Sequence, residues 1–260
     1  MVQFAVQFLP TDQPLILELP SGELWSDEPP LESDQHREQI DLLIRLIKYH
    51  WRDRPDFYVS GNLTIYYNAN QLKNRDFRGP DFFLVLGAEK RDRKSWVLWQ
   101  EQGRYPNLIV ELLSDFTEQV DRGLKKQLYQ DVFRTPHYFW FHPITLELAG
   151  FELVQGVYQP IAPNDRGHLW CETLGLAFGV EAGDEDPQGD DDRRVKSQPP
   201  RLRLFTARGD RVLLPEEAAA QEAETERQRA ETERQRAETA EARLAELLAQ
   251  WPPSGGSHPS

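Results

Sequence analysis

The chain has 260 residues, a formal net charge of −13 and one cysteine, Cys171. That length suits one domain with its own core plus an appendage, and a lone cysteine excludes both an internal disulfide and a zinc site of ordinary spacing. The acidic balance argues against a large electrostatic footprint on nucleic acid, and no run of about 18 apolar residues offers a membrane span.

Residues 1–32 hold Pro10, Pro14, Pro20, Pro29 and Pro30 among polar residues and read as an irregular N-terminal arm. No basic residue precedes the apolar ones in Met1–Pro10, so a cytoplasmic location is expected. Ser33 is a candidate N-cap, and Ile40, Leu43, Ile44 and Ile47 follow at helical spacing, which predicts an amphipathic helix ending before Arg54-Pro55. Phe57–Ser60 and Leu63–Tyr67 flank Gly61-Asn62, a hairpin signal. Runs at Asp81–Leu86, Trp96–Trp99, Leu108–Leu113, Tyr138–Phe141 and Leu146–Leu153 are rich in β-branched and aromatic residues and read as strands of one sheet. Between the third and fourth of these runs, Val120, Leu124, Leu128 and Val132 form an i, i+4 stripe, predicting a helix packed on that sheet. The order defines an α+β or α/β domain over 33–180, a mixed sheet flanked by helices.

Residues 181–200 contain a dense acidic run and then Pro199-Pro200, too little apolar material to fold alone, and read as a disordered linker. Leu202–Phe205 and Val212–Leu214 bracket Arg208-Gly209-Asp210, predicting a small hairpin over 201–215. Glu224–Ala230 is repeated at once as Glu231–Ala237, so 216–250 reads as a charged heptad-repeat helix. Its seam of Ala223, Ala230 and Ala237 is thin, which suits weak self-association as a coiled-coil tail or a protein partner. Residues 251–260 read as a disordered end.

Two acids sit in apolar settings, Asp81 before Phe82-Phe83-Leu84 and Glu111 within Leu108–Leu113. Burying a carboxylate there costs several kcal/mol unless it is paired or bound to metal. On the following helix Asp121, Lys125 and Tyr129 recur every four residues and share a face. Trp96, Trp99 and Trp140 are assigned to packing. His36, His50, His137, His142 and His168 form no ligand pattern, and no nucleophile elbow or phosphate-binding loop supports an esterase or nucleotide hydrolase.

Pro80-Asp81, then Val110-Glu111-Leu112-Leu113-Ser114, then Asp121, Lys125 and Tyr129 stand in the order found in the Uma-type family of restriction endonucleases, which the chain resembles over about residues 30–165. The resemblance implies a restriction-endonuclease-like fold of the PD-(D/E)xK type and a Mg²⁺- or Mn²⁺-dependent DNA endonuclease. Asp81, Glu111 and Lys125 become the catalytic residues, with Asp81, Glu111 and the Leu112 carbonyl on the metal and Ser114, Thr117, Asp121 and Tyr129 in support. Leu113 stands where a strict E-x-K motif has lysine, so Lys125 takes that role from the helix; Asp115 and His137 also depart from the family pattern. The implied partner is DNA, held with weak intrinsic affinity, and a homodimer suits a double-strand cutter. The rival reading is an inactive nuclease-fold adaptor acting through its tail.

Overall fold

Ser33 opens the first helix, α1 (Asp34–His50), by accepting a bond from the His36 N–H at 3.2 Å. Ile40, Leu43 and Ile47 of the predicted face are buried on it, joined by Leu42 and Leu46. The computed structural model describes residues 24–26, 31, 33–68, 79–115, 117–183 and 199–250. Most of the expected arm and linker, and all of the expected C-terminal end, lie outside the described residues. The chain divides into two compact units, Met1–Val212 and Leu213–Ser260.

In the first unit, six strands form a mixed sheet in the order β1-β3-β5-β6-β7-β8. They are β1 (Phe57–Ser60), β3 (Phe82–Leu86), β5 (Leu108–Leu112), β6 (His137–Phe141), β7 (Leu148–Val154) and β8 (Val157–Pro160). Only β5 and β6 pair in parallel, so a crossover must join them, and residues 118–133 supply it. Every residue of β5 and β6 is buried, as expected of central strands covered on both faces. One face packs Phe83, Val85, Ile109, Tyr138 and Trp140 with Tyr129 and Phe133 of the crossover. On the other face Phe139 meets Phe178, ring centroids 4.5 Å apart. Phe178 belongs to β10 (Leu176–Glu181), the middle strand of a second sheet with β9 (Leu169–Cys171) and β11 (Arg201–Phe205). Gln39 of α1 ties in β11 by bonding both the N–H and the carbonyl of Leu202 at 2.9 Å.

The structure corrects three expectations. Gly61-Asn62 does not close a hairpin: β1 pairs with β3, while β2 (Ile65–Tyr66) pairs in parallel with β4 (Trp96–Val97) as a separate ribbon. Tertiary contacts override the local turn signal. Asn62 N–H bonds the Asp81 carbonyl at 3.1 Å, and a Cβ on Gly61 would lie 2.3 Å from Ile40 and 2.4 Å from the Asp81 carbonyl oxygen. Trp96 is therefore not in the main sheet. Lastly, the apolar stripe on 118–133 is not the buried face of the helix, since Leu124 is 69% exposed, Val132 is exposed too and Leu128 packs on the core only in part.

The reason lies in the helix itself. Short α-turns at Glu118–Val120 and Lys126–Leu128 alternate with wider π-turns at Asp121–Lys125 and Tyr129–Phe133. In a pure α-helix a four-residue repeat drifts about 40° per step. The wider turns take up that drift, so Asp121, Lys125, Tyr129 and Phe133 stack along one line. That line, rather than the apolar stripe, faces the sheet. We call 118–133 α2.

The second unit contains α3 (Pro215–Ala249), entered through Leu214, whose N–H bonds the Glu217 carboxylate at 2.7 Å. No residue of α3 is buried, and Leu244, Leu247 and Leu248 are exposed. No helix among the described residues is long and apolar enough to cross a membrane.

Candidate active site

Strand alternation decides which acid meets the crossover helix. On β5, Leu108, Val110 and Leu112 point to the α1 side, whereas Ile109, Glu111 and Leu113 point to α2. Glu111 is thus placed under the line of α2 formed by Asp121, Lys125 and Tyr129, and its side chain is fully buried. The Lys125 ammonium lies 3.1 Å from Glu111 Oε2 and 2.8 Å from Asp121 Oδ1. Tyr129 donates its hydroxyl proton to Glu111 Oε1 at 2.7 Å, and the Asp81 N–H bonds Oε2 at 3.1 Å. Antiparallel pairing of β3 with β5 sets Asp81 beside this point, where its Oδ2 accepts the Leu112 N–H at 2.7 Å. Asp121 Oδ2 is buried without a hydrogen-bond partner, and the Asp121 carbonyl accepts from Tyr138 at 2.9 Å.

Two carboxylates therefore contact one ammonium, with Asp81 bonded beside them, in a site almost closed to water. The Lys125 side chain is 13% exposed, against 0% for Glu111 and 1% for Asp121. Burial raises the Glu111 carboxyl well above its ordinary range, outweighing the pull of Lys125, and raises Asp81 in the same sense. Burial acts on Lys125 in the opposite direction, but Glu111, Asp121 and Asp81 together hold its ammonium above the ordinary lysine range. The Tyr129 phenol is pushed far up by burial and by the Glu111 charge, so it stays protonated and serves Glu111 as a donor.

Of the sequence-predicted residues, Asp81, Glu111, Asp121, Lys125 and Tyr129 come together. The Leu112 carbonyl is 3.1 Å from His36 Nε2. Ser114 and Thr117 bond one another, with their hydroxyls 3.1 Å apart and the Thr117 N–H on Ser114 Oγ at 3.2 Å, and so shape the turn into α2. Leu113 packs in the core near Tyr129, leaving Lys125 as the cation on Glu111. Sequence reasoning missed His36, which stands with Ser33, Gln35, Leu113, Ser114, Asp115, Pro143 and Ile144 around a cleft of about 520 Å³. Its one local signal is Ser33, whose Oγ caps the helix and sits 3.1 Å from His36 Nδ1. Cys171 is buried with its thiol pushed up to about 12, so it is no nucleophile.

A mixed sheet carrying an Asp, a Glu and a helix-borne Lys in contact defines a carboxylate and lysine centre on an α+β scaffold. The chain belongs to the Uma2 family, "Putative restriction endonuclease", whose model matches residues 4–183. No curated protein matches it. Among solved structures it is similar to one described as a putative nuclease belonging to DUF820 from Anabaena variabilis. That similarity has 11% identity and a TM-score of 0.40, over 56% of this chain and 76% of the other.

Proposed function

We propose that the chain is a metal-dependent endonuclease that hydrolyses DNA phosphodiester bonds at Asp81, Glu111 and Lys125. The observation that carries this reading is the acid-rich buried cluster, Glu111 and Asp121 on Lys125 with Asp81 beside them, in which burial holds the Glu111 and Asp81 carboxyls up for want of cations. A divalent cation would favour their charged forms, and membership of a restriction-endonuclease family supports the choice of reaction.

Asp81, Glu111 and the Leu112 carbonyl are hard oxygen donors that suit Mg²⁺ or Mn²⁺. The carbonyl keeps a second lone pair beside its contact with His36. Among the described residues no three Asp, Glu, His or Cys side chains form a ready-made cage, and Mg²⁺ is commonly held by only one or two carboxylates together with waters. When bound, the cation supplies a water of lowered pKa and neutralises charge on the phosphoryl group.

The protein's own groups do the rest. Hydrolysis forms a bond from the water oxygen to phosphorus and breaks one phosphorus–oxygen ester bond; the water gives up a proton and the leaving oxygen takes one. Lys125 holds its proton, so it orients the water and steadies the charged transition state rather than acting as the base. Asp121 positions Lys125, and Tyr129 fixes the Glu111 carboxylate. A homodimer cutting both strands, α3 as its coiled-coil element, a cytoplasmic location and the division at 33–180 complete the proposal.

The test is nicking of supercoiled plasmid with Mg²⁺ or Mn²⁺ by the wild type, Glu111→Ala and Lys125→Ala, each confirmed as folded. Metal-dependent nicking lost in both variants is the expected result. No cutting by the folded wild type sinks the proposal and leaves the adaptor reading, which the net charge of −13 favours.

A further inference from the structure

The end of the sheet opposite the carboxylate cluster carries a second built feature. A pocket of about 430 Å³ opens beside edge strand β1, lined by Lys48, Arg52, Phe57, Tyr58, Val59, Lys90, Arg91 and Asp92. Lys48 comes from the last turn of α1, Arg52 from the turn after it, and Lys90 and Arg91 from the loop after β3. Asp81 precedes β3, whereas the lining residues Phe57, Tyr58 and Val59 pair with Leu86, Val85 and Leu84 towards its far end, so at about 3.3 Å per residue the two features are separated along the strand by about 10 Å or more.

The cations are held in place but only partly neutralised. Arg93 is almost fully buried and makes a forked bond to Glu101, Nε to Oε1 at 2.7 Å and Nη2 to Oε2 at 3.0 Å. Its Nη1 also bonds the carbonyls of Glu89 and Arg91 at 3.0 and 3.2 Å, and its guanidinium stacks over Tyr58 and Trp96. Arg93 thereby clamps the loop that presents Lys90 and Arg91. Arg91 shares Glu101, Arg52 pairs with Asp53 at 3.8 Å with both side chains exposed and donates to the Tyr49 carbonyl at 3.2 Å, and Lys90 sits 4.4 Å over the Phe57 ring. Among the described residues neither Lys48 nor Lys90 makes an ion pair. Asp92 is the single acid in the lining, so the pocket is cationic on a chain whose net charge is −13.

A pocket clamped by a buried arginine and lined by four cations against Asp92 calls for an anion from outside. We propose that this pocket binds a backbone phosphate of a nucleic acid strand, as an anchor separate from the carboxylate cluster. Naming the polyanion as nucleic acid rests on the nuclease reading; the phosphate chemistry rests on the pocket. The anchor supplies the cationic contact that the overall charge withholds.

The experiment is fluorescence anisotropy of a labelled duplex of about 20 base pairs across a salt series, in EDTA so that catalysis plays no part. It compares the wild-type full chain, the variant Lys48→Gln/Arg52→Gln/Lys90→Gln, and a charge-matched variant in α3, Arg227→Gln/Arg229→Gln/Arg236→Gln. The pocket variant is expected to bind more weakly and to lose about one from the slope of log K against log salt, at about 0.9 per phosphate contact. Equal thermal unfolding of the three proteins rules out a folding defect. An unchanged slope in the pocket variant overturns the proposal, as does an equal loss in the α3 variant, which reports net charge alone. Competition by a polyglutamate peptide as effective as duplex at matched charge also overturns it, assigning the pocket to an acidic protein segment. Pocket-dependent binding in a protein that never cuts plasmid sinks the nuclease reading and leaves the anchor standing.

Discussion

Asp121 with Lys125 on α2 and Arg234 with Glu238 on α3 are the same arrangement, an acid and a base four residues apart at 2.8 and 3.1 Å. They differ in water. Lys125 and Asp121 are 13% and 1% exposed, whereas Arg234 and Glu238 are 69% and 62% exposed. In water a pair gains little, because solvent screens each charge as well as the partner does. In the sheet the Asp121 carboxylate helps hold a proton on lysine, and Lys125 in turn pulls against the burial that raises the Glu111 carboxyl. The spacing in sequence is identical, and the scaffold beneath it decides what the pair can do.

The sharpest way to break this contrast is Lys125→Ala. It leaves Glu111 and Asp121 buried without their cation, and losing one partner of a buried pair costs about 3–5 kcal/mol. Urea unfolding near neutral pH measures this. If the loss is under about 1 kcal/mol, within the range of an exposed pair, water reaches the cluster and the contrast fails.

The two faces of α2 give the next test. Phe133 is buried at the end of the polar line and Leu124 is exposed, so Phe133→Ala is expected to cost about 3–5 kcal/mol and Leu124→Ala within about 0.5 kcal/mol. Chemical denaturation of both variants reads the difference. The reverse ranking restores the apolar stripe expected from the sequence and removes the stacking argument.

Much of the fold and the central residues of the candidate site were legible. Two acids in apolar runs are costly enough to stand out, and the four-residue recurrence of Asp121, Lys125 and Tyr129 put them on one face. What escaped notice depended on distant partners. The π-turns that carry Phe133 inward have no pattern in hydrophobic periodicity. Gly61-Asn62 looked like a turn because its constraint comes from Ile40 and Asp81, not from its neighbours. His36 was one histidine among several, since its contact, Leu112, lies 76 positions away. Strands such as Leu169–Cys171 are too short to declare a period.

A pH series sharpens the comparison from the side of the protons. Burial raises the Glu111 carboxyl in the fold, so from the unfolded value of about 4.3 upward the folded state holds the extra proton. Stability contributed by that proton is complete at low pH and falls as pH rises towards the raised value. Glu111→Gln has no such group, so its stability relative to wild type is expected to increase with pH by up to about 1.4 kcal/mol per unit in that window. Thermal unfolding of both proteins in EDTA from pH 4 to 8 decides it. Parallel curves mean that Glu111 titrates alike in both states and is not desolvated.

The smallest effect is expected at the other end of the comparison. Arg234→Ala removes the Glu238 partner from a helix with no buried residue, where an exposed i, i+4 pair contributes about 0.3–0.5 kcal/mol. Alanine is also the better helix former, which returns part of the loss. Helicity by circular dichroism on the full chain should therefore change little at low salt and less still at high salt, where screening has already removed the pair. A large loss of helix in Arg234→Ala means that Arg234 contacts something besides Glu238. Such a result overturns the exposed-helix description and makes this stretch of α3 an interface. A small loss keeps Arg234 and Glu238 as the solvated counterpart of Lys125 and Asp121.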